Sequence, residues 1–222
     1  MITGHPAHIP WRDASGLAGP NSLAVYCWFA SNAKMPEAPA EMLEVPDGLL
    51  SRTRESDADQ LAHAVSTSLD HLRQWLSWAT EEAADVQAQR RRCREAEAHW
   101  ADGSEYAYVL RPRQSEDVIG GFDLWRISPS AVELGYWVHV DFTGRGYATA
   151  CAKALTQAGL ALPDVARVEI HTDEANAISA AIPRRLGYRL DRVDELPPEL
   201  PAHSGRLQIW GMERPSADCR SC

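Results

Sequence analysis

A chain of 222 residues, 45% hydrophobic, suits one domain with some additional segments, and its formal net charge of −9 argues against non-specific binding to nucleic acid, which needs clustered cations. The same acidic balance suits a cationic substrate. The longest early apolar run, Leu23 to Ala30, is too short to span a bilayer and has no basic cluster ahead of it; the five cysteines are scattered and odd in number. The expectation is a cytoplasmic protein with reduced thiols, no membrane segment, no secretory signal and no nucleic-acid partner.

Residues 1–48 are punctuated by Pro6, Pro10, Pro20, Pro36, Pro39 and Pro46 and keep no lasting period. They read as an irregular, proline-rich extension, with Trp11, Trp28 and Phe29 docking part of it and the remainder placed to cap an acceptor groove. The domain proper spans 49–213, and a tail occupies 214–222. A short strand around Leu49 to Arg54 opens the domain. Ser56 with Asp59, and Thr67 with Asp70, have capping-box spacing and predict two helix starts. Leu61 and Val65 face inward on the first helix, and Leu69, Leu72 and Leu76 follow at helical spacing on the second. A third helix covers about Glu81 to Trp100, with Arg90 to Arg92 and Arg94 on a solvated face.

Strands follow at Tyr106 to Leu110, Val118 to Ile127 and Val132 to Val140. On the last, Glu133, Gly135, Trp137 and His139 face one way and Leu134, Tyr136, Val138 and Val140 the other. A helix with Ala148, Cys151, Ala152, Leu155 and Ala158 runs to Pro163. Then come a strand at Arg167 to Thr172, a short helix from Asn176 towards Arg185, and strands near Gly187 to Val193 and Arg206 to Met212. Helices, an antiparallel meander and then strand-helix-strand-helix make an α+β or mixed α/β layer fold.

Thr143-Gly-Arg-Gly-Tyr-Ala-Thr149 joins a strand to a helix. A helix N-terminus offers unpaired N–H groups and partial positive charge, and Gly144 and Gly146 let the backbone approach an anion closely. The third glycine and distant acid of a dinucleotide fold are absent, as is the Gly-Lys-Ser/Thr of a nucleotide P-loop. By itself the stretch is accounted for more simply as a plain turn.

Its context carries more. Glu133-Leu-Gly-Tyr-Trp-Val-His-Val140, the glycine turn, His171-Thr-Asp-Glu-Ala-Asn176, Ser179 and Arg185-Leu-Gly-Tyr188 stand in one order. Together they resemble the GNAT superfamily of acetyl-CoA-dependent N-acetyltransferases, and most closely its RimJ/RimL-like branch, named for ribosomal-protein N-terminal acetylation. The resemblance extends over roughly Leu49 to Met212. It implies a central, mostly antiparallel twisted sheet with splayed parallel strands in its middle, flanked by helices. It also implies that acetyl-CoA is the co-substrate and that no metal is involved. Gly146 and Ala148 fill the small positions of the family's pyrophosphate signature, and Thr143 stands where Gln or Arg is usual. Gly144, Arg145, Tyr147 and Thr149 complete that loop. Backbone groups of Val138 to Val140 are implied to pair with the pantetheine arm, one of their N–H groups polarising the thioester carbonyl, and the Asn176 side chain to bond the arm. Asn176 is equally a good helix N-cap.

Transfer requires a neutral amine, and an α-amino group at about 7.7–8.0 needs far less base help than a lysine near 10.4. Glu133 is the first candidate base, with His139 and His171 as alternatives near neutral pH. The family's usual tyrosine acid is replaced by Pro183, which leaves the Ser179 hydroxyl as candidate donor to the departing thiolate. Pro183 itself predicts a kink or an early helix end. Tyr188 reads as core packing, and Cys219 with Cys222 as a reduced tail. Cys151 lies on the small-residue helix face, so the resemblance implies direct attack in a ternary complex on a primary amine, of a protein N-terminus or a small molecule. A non-catalytic acyl-CoA-binding module or scaffold is the alternative, motivated by the missing tyrosine. A homodimer is compatible with either reading.

Overall fold

The computed structural model describes residues 37–215. Trp11, Trp28, Phe29, Cys219 and Cys222, with the docking, groove-capping and tail readings placed on them, lie outside the described residues.

Eight strands form one sheet in the order β1-β2-β3-β4-β5-β6-β8-β7. They are β1 Met42–Val45, β2 Gly48–Arg52, β3 Glu105–Pro112, β4 Gly120–Ser128, β5 Ala131–Val138, β6 Arg167–Asp173, β7 Arg189–Glu195 and β8 Arg206–Glu213. Every neighbouring pair is antiparallel except β5 with β6, which is parallel. Four α-helices accompany the sheet: α1 Ala58–Leu72, α2 Val86–Asp102, α3 Tyr147–Ala161 and α4 Ala177–Leu186. This is the mixed α/β layer arrangement expected from the order of elements.

Several local expectations are corrected. Strand β1 falls within the stretch read as irregular, pairing with β2 across a tight turn in which Asp47 takes φ 58°. The two helix starts at Ser56 and Thr67 are a single helix. Ser56 lies in a short 3-10 turn, Glu55–Asp57, where the Asp57 side chain accepts from the Arg54 N–H. The Thr67 hydroxyl bonds back to the His63 carbonyl within α1 instead of capping a new helix. Helix α2 starts at Val86 because Asp85 caps it, its carboxylate accepting from the N–H groups of Gln87 and Ala88. Of the basic run on α2, Arg90, Arg91 and Arg94 pair with exposed acids, whereas Arg92 turns to the sheet and meets Glu105 and Asp123.

Helix α3 packs its small face on β4, β5 and β6, and Cys151, Ala152 and Leu155 are fully buried there. Gly159 permits the close approach: a Cβ there would come within 3.1 Å of the Val168 side chain. On the opposite face, Ala58, Leu61 and Cys93 of α1 and α2 pack with Val109 and Val118, and Trp137 packs against them. Among the described residues no helix is long and apolar enough to cross a membrane.

The feature that matters most for function is how briefly β5 and β6 pair. Their register holds for Ala131–Arg167, Val132–Val168 and Glu133–Glu169 only. Beyond these, β5 stays with β4 and β6 stays with β8, so the two strands part and leave a gap in the middle of the sheet.

Candidate active site

The gap is edged by free backbone. His139 donates its N–H to the Ile119 carbonyl on the β4 side at 2.8 Å. Alternation along an antiparallel pair then turns the backbone groups of Tyr136 and Val138 towards the gap. Val140 differs from its sequence reading. It lies past the strand, in a 3-10 turn from Val140 to Phe142, and its N–H donates to the Ser68 hydroxyl at 3.1 Å. Its carbonyl accepts from the Thr143 hydroxyl at 2.9 Å. With its backbone committed on both sides, Val140 does not offer a pairing edge; Val138 and Tyr136 do.

The glycine turn sits at the open end of β5. Gly144 has φ 73° and Gly146 has φ 86°, and a Cβ on either would meet nothing within 4 Å. Glycine is needed here for the sign of φ and not for space. Gly146 is the N-cap of α3, with no side chain capping it. The first internal helical bond runs from Ala150 N–H to Gly146 O, so the N–H groups of Tyr147, Ala148 and Thr149 have no acceptor within the helix. The Arg145 guanidinium is drawn back, bonding the Asp141 carbonyl at 2.7 Å and lying 4.7 Å from the Phe142 ring centroid. Thr143 likewise stabilises the turn through Val140, and the Tyr147 hydroxyl reaches the Asp47 carbonyl at 3.3 Å. The Arg145 cation is thus turned back onto the loop, and the N–H groups without an acceptor in the helix are the donors this turn presents.

On the α1 and α2 face, where β5 and β6 part, ionisable groups gather. His171 Nδ1 lies 3.1 Å from Glu133 Oε2, and Nε2 lies 2.7 Å from Glu169 Oε2. Glu169 is gripped further by Arg167, whose Nε is 2.7 Å away. Burial raises the Glu133 pKa, opposed by the His171 charge and by a bond from the Trp125 side chain. Burial also opposes ionisation of Glu169, but the bonds from His171 and Arg167 outweigh it and hold that carboxyl down at about 2. For His171, burial disfavours the cation, yet the Glu169 bond and the charges of Glu133 and Glu169 prevail and raise its pKa. On β4, beside Arg92 and Glu105, burial pushes Asp123 up to about 7 against the pull of Arg92.

His139 does not join this group. Its Nδ1 accepts from the Asp141 N–H at 3.1 Å, and its Nε2 lies 2.8 Å from the Thr67 hydroxyl, whose own proton goes to His63. Both ring nitrogens are thus engaged within the fold. His139 caps the 3-10 turn and stands apart from the Glu133–His171 pair.

Helix α4 closes the other side of the gap. The Asn176 side chain oxygen accepts from the Ser179 N–H at 3.1 Å, so Asn176 is an N-cap and only its amide NH2 is left for a ligand. The Ser179 hydroxyl lies 3.2 Å from the Tyr136 hydroxyl. Pro183 sits inside a continuous α4 that runs on to Leu186, so the early end expected from it does not occur. Tyr188 is buried and its hydroxyl meets Thr156 at 2.6 Å, in keeping with core packing. Burial pushes Cys93 and Cys151 up to about 12, which leaves both thiols protonated and unreactive at neutral pH. Among the described residues no cluster suited to a metal ion occurs.

The structure thus brings Glu133 and His171 together, sets Ser179 and Asn176 across the gap, and places His139 in the turn after β5, apart from that pair. It adds Glu169, Trp125 and Tyr136. Glu169 was legible in principle, since it stands two residues before His171 on a strand and shares its face.

The gap, its glycine-turn helix and the acid cluster define an acyl-transferase site. A sequence profile of the acetyltransferase (GNAT) domain matches residues 49–189, and the chain belongs to that family. It is an acetyl-CoA-dependent N-acetyltransferase. Among solved structures it is similar to RimL, a ribosomal L7/L12 alpha-N-protein acetyltransferase in complex with coenzyme A, at 20% identity and TM-score 0.71, covering 78% of this chain and 98% of that one. It is also similar to ribosomal-protein-S5-alanine acetyltransferase from Vibrio fischeri, at 14% identity and TM-score 0.72, covering 78% and 96%. RimJ of Mycobacterium smegmatis, in complex with a coenzyme A disulfide, matches at 19% identity and TM-score 0.68, covering 78% and 85%. No curated protein matches by sequence.

Proposed function

We propose that the protein acetylates the α-amino group of a peptide or protein N-terminus by direct attack on acetyl-CoA. The observation that carries this is the Glu133–His171 pair, 3.1 Å apart, standing where β5 and β6 separate. A carboxylate whose pKa is raised by burial is a moderate base. It suits an α-amino group, which is already part neutral near pH 8, better than a lysine some 2–3 pKa units higher. The RimL and S5-alanine enzymes are named for acetylation of ribosomal proteins, which supports the same acceptor class.

Acetyl-CoA supplies the thioester carbonyl that the amine attacks. The N–H groups of Tyr147, Ala148 and Thr149, on the turn set by Thr143, Gly144, Arg145 and Gly146, fit its pyrophosphate. The backbone of Val138 and the amide of Asn176 fit its pantetheine arm. Glu133 takes the amine proton, His171 holds Glu133, and the Ser179 hydroxyl faces the leaving sulfur. The protonated Cys93 and Cys151 support direct attack over an acyl-cysteine route, and with the scattered cysteines they favour a cytoplasmic location.

The test is mass spectrometry of a mixed library of peptides and small amines incubated with the protein and acetyl-CoA. Acetylation of peptide α-amines is expected. Acetylation confined to small amines would overturn the acceptor, and no transfer at all would overturn the activity.

A further inference from the structure

Glu169 and His171 stand two residues apart on β6, so their side chains share a face. The parallel register sets Glu169 beside Glu133, and His171 lies just past the last paired residues. Its imidazole leans back and bridges the two carboxylates, at 3.1 Å to Glu133 and 2.7 Å to Glu169. A ring donating at both nitrogens is an imidazolium. The second Glu169 oxygen is taken by Arg167 Nε at 2.7 Å, and the Arg167 guanidinium also meets Asp191 and Glu213. Glu169 is therefore fixed and strongly held as an anion, with no role left for it as a proton acceptor.

We propose that Glu169 is a positioning residue for acetyl transfer: it keeps His171 doubly protonated, with Nδ1–H directed at Glu133, so that Glu133 stays ionised and aimed at the acceptor amine. The inference rests on the reading of Glu133 as base. As the new N–C bond forms and the thioester C–S bond breaks, releasing the coenzyme A thiolate, the amine proton passes to Glu133; Glu169 neither gives nor takes one. The charged groups that act on His171 are Glu133 on β5, Glu169 on its own strand, and Arg192 on β7, which opposes the cation. Its partner on β8 is the apolar Ile209. Removing the negative charge of Glu169 leaves Glu133 alone against Arg192. His171 then gives up its proton to solvent at lower pH, and Glu133 loses the cation that holds and aims it.

The experiment is Glu169→Gln, read by the imidazole nitrogen resonances of His171 and by the pH dependence of kcat/KM. The His171 pKa is expected to fall by about one unit or more, which is a ten-fold loss of the imidazolium above that pH. The ratio of variant to wild-type kcat/KM should therefore decline as pH rises, while KM for acetyl-CoA holds. Glu169→Asp, which keeps the charge, should restore part of the loss. A wild-type pH profile in Glu169→Gln would overturn the proposal with the functional reading intact. No transfer by the wild-type protein would overturn both. Should Glu169→Gln not fold, the wild-type spectrum still decides: a neutral His171 at pH 7 refutes the proposal, and an imidazolium is the expected result.

Discussion

The Tyr136 hydroxyl contacts Ser179 twice, at 3.2 Å from its Oγ and 3.4 Å from its carbonyl oxygen. Ser179 is four residues before Pro183, so its carbonyl is the one whose helical partner Pro183 cannot supply. A side chain from the sheet thus answers the orphaned acceptor, and α4 continues to Leu186 despite the proline. The same contact orients the serine that faces the gap.

Tyr136→Phe should lower stability by about 1 kcal/mol, the usual net value of one hydrogen bond. The double variant Tyr136→Phe with Pro183→Ala should lose less than Tyr136→Phe alone, because an alanine in place of the proline restores an N–H for the Ser179 carbonyl. Urea denaturation of the four proteins in this cycle measures the coupling, and strict additivity would count against the contact.

Glu133→Gln should reduce kcat/KM by roughly a hundred-fold or more, the common range for a general base. Its thermal stabilisation by acetyl-CoA should match that of the wild type, because the glycine turn proposed to hold the coenzyme lies elsewhere. Loss of both together would mean that Glu133 supports the fold and not the chemistry.

Stability should depend on pH in two windows. Glu169 is held at about 2, below its unfolded value, so its contribution is fully present above about pH 4.3 and is lost as pH falls towards 2. His171 is shifted upward, so its contribution is full below about pH 6.5 and is lost as pH rises through its folded pKa. Denaturation midpoints across pH 3 to 10 should fall at both ends, and Glu169→Gln should flatten both slopes.

Gly146→Ala should cost about 1–2 kcal/mol, because φ 86° is strained for any residue with a Cβ even where space is open. Displacing this cap misaims the first-turn N–H groups of α3, so the dissociation constant for acetyl-CoA should rise. Calorimetric titration of both proteins with acetyl-CoA measures this.

Much of the frame was readable from the chain. Alternation located β5 and its two faces from Leu134 and Trp137, and the small face of α3 was plain in Cys151, Ala152 and Leu155. The glycine turn was placed correctly between them. The single helix α1 was missed because Thr67 with Asp70 mimics a cap, and a hydroxyl in mid-helix can bond its own backbone instead. The end of β5 was set two residues too late, because Val140 is apolar enough to continue the alternation but is pulled off the sheet by Ser68.

The sequence by itself determined the order of elements from β3 onward, the facing of β5 and the turn that ends at Gly146, since these follow from local periodicity and from the φ that glycine alone adopts freely. Tertiary structure decided the chemistry. Whether a histidine is a base or a cap depends on its partners: Thr67, 72 residues from His139, occupies that ring, whereas His171 is bridged to Glu133 on another strand. Such pairings arise from sheet register and from where β5 and β6 part, and no local pattern encodes either.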